Sequence, residues 1–236
     1  MKAAIVTGVT SGIGKAISGM LIKQGYDVYG FGRDFSKIEH DKELNQMKKF
    51  QIDLTDIGLL TETLKKIKKE ADICLVVNNA GAAYFSLHEE MNPQKIHEMV
   101  CVNLEVPMVI SQLLMRDLKK NKGTIINISS VTAKKTNTYG CCYGATKAGI
   151  TSFSNSLFEE NRKYGVRVIT IHPDMTMSEL YRNADFDVGE SADSYILPEE
   201  VASTVKWVLE QRDGLVVTDI TVRPQKHLLS KGKRRK

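Results

Sequence analysis

Seven short apolar runs punctuate the chain, at residues 2–7, 27–32, 49–53, 73–77, 124–129, 166–171 and 215–222. Several are apolar throughout instead of alternating, the pattern of strands covered on both faces. Between most of them lie longer segments with apolar positions at helical spacing. Residues 12–24 carry Ile13, Ile17, Met20 and Leu21 on one face, and residues 57–69 repeat Leu60, Leu64 and Ile67 with their lysines outward. Pro93 opens a helix that runs toward Leu118, and Pro198 precedes the helix of Val201, Val205 and Leu209. This alternation predicts crossover units around a central, buried, parallel sheet in an α/β fold. Residues 176–197 fit neither period. Their Asp, Ser and Asn content predicts a loop or short helices, a candidate lid.

Length changes the picture only by fixing one domain: 236 residues with 42% hydrophobic content suffice for a single sizeable core. No apolar run reaches membrane-spanning length and the N-terminus enters a strand directly, so a soluble, cytoplasmic chain without membrane contact is expected. Cys74, Cys101, Cys141 and Cys142 lack zinc-ligand spacing and suit a reducing compartment. His88, His97 and His172 show no metal spacing either, and no metal is implied. The net charge of +5 resides in Lys231, Lys233, Arg234, Arg235 and Lys236, which leaves residues 1–230 balanced. Residues 226–236 therefore read as a basic tail with a solvated end. An arm for an acidic partner or nucleic acid is the lesser alternative.

The first run ends in Thr7-Gly8-Val9-Thr10-Ser11-Gly12-Ile13-Gly14 and passes straight into a helix. Glycines there permit a tight turn and close approach to phosphate, and the helix N-terminus offers N–H groups and a positive dipole end. Gly8, Thr10, Ser11, Gly12, Ile13 and Gly14 are the expected diphosphate cradle. The second run ends in Gly32-Arg33-Asp34. In dinucleotide sites an acidic residue here holds a ribose 2′-hydroxyl, whereas an arginine accommodates a 2′-phosphate. Gly32 takes the acidic position and Arg33 follows, which favours NADP(H) over NAD(H). Asp34 keeps the second cofactor open.

Tyr143 and Lys147, four apart, share one helix face. An ammonium beside a phenol favours the phenolate and lowers its pKa from ~10, which would let Tyr143 act as general acid or base. Alone, this spacing belongs more often to an ordinary helix.

With the other motifs it resembles the short-chain dehydrogenase/reductase family. The resemblance rests on Thr7-Gly8-x-x-x-Gly12-Ile13-Gly14, Asp53-Leu54, Asn78-Asn79-Ala80-Gly81, Asn103, Asn127-Ile128-Ser129-Ser130, Tyr143-x-x-x-Lys147 and residues 219–225, in order over nearly the whole chain. It implies a single-domain Rossmann fold over residues 1–225, a doubly wound seven-stranded parallel sheet with helices on both faces. It further implies that Ser130 binds the substrate carbonyl oxygen, Tyr143 delivers the proton, and Lys147 binds the nicotinamide ribose while lowering the tyrosine pKa. Asn103 would support a water-linked proton relay. Asp53 and Leu54 would contact adenine, and Asn79, Ala80 and Gly81 would lie along the adenosine. Asn78 would brace the sheet and Ser129 would be structural.

One segment departs from the pattern. His172-Pro173-Asp174-Met175-Thr176-Met177-Ser178 stands where the family has Pro-Gly and, four residues on, Thr. Pro173 and Ser178 keep cofactor-binding roles in this reading. Asp174 is expected to face solvent, with repulsion of carboxylates or attraction of a cationic group as alternatives. The expected activity is NADPH-dependent hydride transfer between nicotinamide and a small-molecule carbonyl or alcohol. Alternatives are a 3-oxoacyl thioester reductase and a non-catalytic NADP(H)-binding regulator. A homodimer or homotetramer is implied, and nucleic acid is not an expected partner.

Overall fold

The computed structural model describes residues 2–231. Strand β1 (Ala3–Thr7) pairs in parallel with β2 (Asp27–Gly32) on one side and β4 (Ile73–Asn78) on the other. With β3 (Lys48–Gln51), β5 (Thr124–Ile128), β6 (Arg167–Pro173) and β8 (Asp219–Val222), these form a seven-stranded parallel sheet in the order β3-β2-β1-β4-β5-β6-β8. The period of two in β1 divides its side chains between two cores. Ala4 and Val6 face Ile17 and Leu21 of α1 (Gly12–Lys23) and Val201 and Val205 of α6 (Pro198–Leu209). Ala3 and Ile5 face Leu60 and Leu64 of α2 (Ile57–Glu70) and Ile110 and Leu114 of α4 (Val106–Lys120). Each large side chain so buried contributes about 1.5–3 kcal/mol. The apolar runs imply the central parallel sheet, and the doubly wound Rossmann architecture is the one that the family resemblance implies.

Asn78 braces the sheet as expected: its Nδ2 donates to Asn127 Oδ1 at 2.7 Å, and Asn127 Nδ2 donates to Ser154 Oγ at 2.7 Å. The boundaries shift. The third strand stops at Gln51, where Ile52 and Asp53 turn toward α2, and the last strand begins only at Asp219.

The helix expected from Pro93 is divided into α3 (Pro93–Val100), a π turn at Cys101–Glu105 and α4. Pro107 has no N–H, so the Asn103 carbonyl lacks its α-helical donor, and the extra residue of a π turn accommodates the mismatch. The combined Pro93–Lys120 helix is apolar and long enough to cross a membrane by length and composition. Its most apolar positions, Met99, Ile110, Leu114 and Leu118, are fully buried in the fold.

Residues 176–197 contain short 3₁₀ turns at Glu179–Tyr181 and Ala192–Ser194, together with a strand that the sequence does not signal, β7 (Phe186–Val188). It pairs antiparallel with β9 (Leu229–Lys231), and Lys226 Nζ pairs with Asp193 at 2.8 Å. The first part of the basic tail is therefore packed on residues 176–197. Residues 232–236, with most of its charge, lie outside the described residues.

Candidate active site

A cleft of about 420 Å³ opens at the carboxyl ends of β1 and β4, where the strand order reverses. In open α/β sheets this is the place where ligands bind. The glycine-rich turn forms one wall. Gly8 (φ +71°) and Gly12 (φ +52°) adopt left-handed backbone, and a Cβ on Gly8 would lie 2.9 Å from Ala80 Cα. Gly14 does not line the cleft. It allows α1 to pack on the turn, since a Cβ there would lie 2.1 Å from the Gly8 carbonyl oxygen. Thr7 Oγ1 accepts from the amides of Asn79 and Ala80, both at 3.0 Å, and Asn79 Nδ2 donates to the carbonyls of Thr7 and Gly8 at 2.9 and 3.1 Å. The glycine-rich turn and the 79–81 turn are thus tied to each other. Ser11 leads into α1 without a side-chain cap, and the first turn carries no acidic residue. Glycine cradle and uncapped helix end fit a nicotinamide dinucleotide, which would lie against Gly8–Ile13 and residues 79–81.

At the end of β2, a Cβ on Gly32 would meet Thr10 at 2.5 Å, so that position stays bare and Arg33 follows at the cleft mouth. Arg33 Nη1 lies 3.7 Å from Glu98 Oε1, and Glu98 also accepts from Tyr84 Oη at 2.7 Å. Asp53 and Leu54 line the same end. Asp53 accepts from Thr55 N and Oγ1 at 3.0 and 2.8 Å. Those bonds, with the Arg33 charge, hold its carboxyl below the usual range. The cap of α2 is Asp56, whose Oδ1 accepts from Leu59 N at 2.9 Å.

The chemical wall is built by β5 and α5 (Cys141–Asn161). Ser129 Oγ donates to the Lys147 carbonyl at 3.0 Å; Ser130 lines the cleft beside Tyr143, whose phenol pKa it lowers. Lys147 lies one helical turn on, its Nζ 5.7 Å from the Tyr143 ring centre and donating to the Ile128 carbonyl at 2.9 Å. The expected lowering of the tyrosine pKa by Lys147 requires correction. Burial dominates both groups: it pushes the Tyr143 phenol up to about 12, against a smaller lowering by Ser130, and pulls the Lys147 ammonium down to about 8.

Asn103 sits in the π turn and does not line the cleft. Its Nδ2 donates to Ala82 O at 2.8 Å and Thr146 Oγ1 at 3.0 Å, while its Oδ1 accepts from Ala82 N at 2.8 Å. With its side chain so committed, it joins the 79–82 turn to α5. Pro173 and Ser178 line the opposite wall, with Ser178 beside Gly12. Asp174 contradicts the solvent-facing expectation. Its side chain is 3% exposed, Oδ2 accepting from Arg223 Nε at 3.0 Å and Oδ1 from Met175 N at 3.0 Å. An arginine on β8's exit draws the carboxylate inward.

A family model described as short chain dehydrogenase matches residues 2–188. The chain belongs to that family. It is 32% identical over 231 residues to an uncharacterized oxidoreductase of Staphylococcus saprophyticus, covering 94% of this chain and 97% of the relative. It is 30% identical over 230 residues to a serine 3-dehydrogenase of Agrobacterium fabrum, covering 93% and 92%. Among solved structures it superposes on an alcohol dehydrogenase of Thermococcus sibiricus complexed with 5-hydroxy-NADP, with a TM-score of 0.84, 26% identity and coverage of 95% and 97%. The protein is thus an oxidoreductase acting on CH–OH and C=O groups with a nicotinamide cofactor.

Within this short-chain dehydrogenase, several residues of the site carry no signal in the sequence. Glu98, from α3, faces Arg33 across the cleft. Lys37 reaches Glu179 at 2.6 Å, joining the β2 side to the 176–197 segment. Phe85, Tyr181 and Phe186 gather beside Tyr143, with ring centres of Phe85 5.8 Å from Tyr143 and 5.0 Å from Phe186. All arise from elements distant in sequence, so spacing could not connect them.

Proposed function

We propose that this short-chain dehydrogenase reduces a small-molecule carbonyl to the alcohol with NADPH. The observation that supports this reading most is Tyr143: a buried phenol beside Ser130 on the cleft wall, with burial pushing its pKa up to about 12. Such a group stays protonated at neutral pH and serves as a donor. A developing alkoxide is a much stronger base than a phenolate, so transfer to it is downhill.

In this reading Ser130 Oγ orients and polarises the carbonyl oxygen and Tyr143 Oη gives up its proton there, with the Lys147 ammonium one helical turn away. The positive charge of Lys147 is present below about pH 8. Asn103 acts by fixing the 79–82 turn against α5. The dinucleotide supplies the hydride when bound. Lys147 would also hold its nicotinamide ribose, Pro173 and Ser178 the nicotinamide side, and Asp53 and Leu54 the adenine. Arg33, at the mouth where Gly32 leaves room, favours a 2′-phosphate.

Fluorescence titration with NADPH and NADH, followed by an absorbance screen of aldehydes, ketones, diketones and 3-oxoacyl thioesters, tests the reading. Tighter NADPH binding with oxidation driven by one carbonyl class is expected. Binding with no turnover across the panel would contradict it.

A further inference from the structure

His172 is fully buried on β6, directly behind the serine of the proposed site. Its Nδ1 lies 3.1 Å from the Ser130 carbonyl oxygen and its Nε2 lies 2.9 Å from Asp219 Oδ2. The Ser130 carbonyl also accepts from Ala133 N at 3.0 Å. A carbonyl oxygen only accepts, so the contact exists as a hydrogen bond only when Nδ1 carries the hydrogen. Asp219 is held on its other side by Lys134, which also donates to Thr221 Oγ1 at 3.1 Å. Although burial works against ionisation, Lys134 and His172 outweigh it and keep the Asp219 carboxyl below its usual range. The groups facing the ring are thus the Ser130 carbonyl from the end of β5, Asp219 from β8, and Lys134 behind Asp219. Asp174 and Arg223, farther along the same strands, pair with each other.

We infer that His172 is a positioning residue: its Nδ1–H pins the backbone of Ser130, and Asp219, steadied by Lys134, orients the imidazole that does so. The inference rests on the reading of Ser130 as the group that binds the carbonyl oxygen. The chain otherwise anchors Ser130 loosely on its cleft side, where among the described residues its Oγ accepts from the amide of Thr132 at 3.2 Å. A backbone fixed from behind leaves Oγ directed at Tyr143 without occupying it. Both ring nitrogens face oxygens, the Ser130 carbonyl at Nδ1 and the Asp219 carboxylate at Nε2.

A double-mutant cycle on Ser130 and His172 tests this, read by NADPH affinity, by kcat and KM for the carbonyl giving the fastest turnover in the screen, and by the ¹³Cζ resonance of Tyr143, which needs no substrate. His172→Phe is expected to lower kcat about tenfold or more, as displacement of a reacting group does, with NADPH affinity within about twofold and the Tyr143 resonance shifted. His172→Asn, which retains an N–H near the Nδ1 position, is expected to recover most of kcat. In a Ser130→Ala background, His172→Phe should change neither kcat nor the resonance further. Equal losses in both backgrounds, or full kcat with an unshifted resonance in His172→Phe, would overturn the inference.

Should His172→Phe fail to fold, Asp219 carries the test. Asp219→Asn can accept from Lys134 and donate to Nε2, keeping Nδ1–H on Ser130, and is expected to lose less kcat than Asp219→Ala; equal losses would overturn the inference. Full turnover in Ser130→Ala would instead sink the reading of Ser130, while the Tyr143 resonance still reports on the His172 contact.

Discussion

Lys147 Nζ donates to the backbone carbonyl of Ile128 at 2.9 Å, inside a site where the side chain is almost wholly buried. Burial lowers its ammonium pKa to about 8, whereas in the unfolded chain it lies near ~10.4. Between those values the unfolded chain binds the additional proton, so stability rises with pH. Below the window the fold bears a buried charge. Tyr143, pushed up to about 12, acts in the opposite sense above its unfolded value near ~10. Melting temperature measured from about pH 7 to 10 is therefore expected to gain a rising contribution from Lys147, which Lys147→Met should abolish together with turnover. An identical slope in the variant would contradict this.

In the proposed reading, cofactor choice turns on Arg33 and its neighbour Glu98. Arg33→Ala is expected to weaken NADPH binding by roughly 1.5–3 kcal/mol, the range for hydrogen bonds to charged groups, and NADH binding far less. Glu98→Gln removes the carboxylate that competes for the guanidinium and should strengthen NADPH binding. Fluorescence titration of both variants with both cofactors reads the result. Equal losses for the two cofactors in Arg33→Ala would sink the 2′-phosphate assignment.

The cradle makes a steric prediction. A methyl on Gly14 would press on the Gly8 carbonyl and on Asn79 Nδ2 at 2.1 and 2.3 Å, contacts that side-chain rotation cannot relieve at the carbonyl. Gly14→Ala should reduce the rise in melting temperature that NADPH produces in the parent chain, because binding energy appears as added stability.

Asp174 tests whether the departure at the Pro-Gly position serves the substrate or the fold. Its carboxylate is buried against Arg223, so Asp174→Ala is expected to destabilise by about 1–3 kcal/mol while KM for the carbonyl changes little. A large KM change at unchanged stability would restore a substrate role.

Strands such as Ile73–Asn78 are legible in the sequence because burial on both faces makes them apolar throughout, and the Tyr143–Lys147 pair because helix geometry fixes which spacings share a face. The glycine turn is legible because its backbone excludes a Cβ. Asp174 is not: its orientation depends on Arg223, 49 residues later, and local composition pointed outward. The pairing of β7 with β9 is equally hidden, since three-residue strands carry too little period to register and the second lies in a segment that reads as a charged tail. The pKa values of Tyr143 and Lys147 depend on how deeply both are buried, which a spacing of four cannot convey.

The most direct measurement compares Tyr143→Phe with the parent chain, with NADPH binding by fluorescence and carbonyl-dependent NADPH oxidation measured on the same preparations. Cofactor affinity close to the parent's is expected, with turnover reduced by about 10²-fold or more, the scale of a lost general acid. Full turnover in Tyr143→Phe would contradict it.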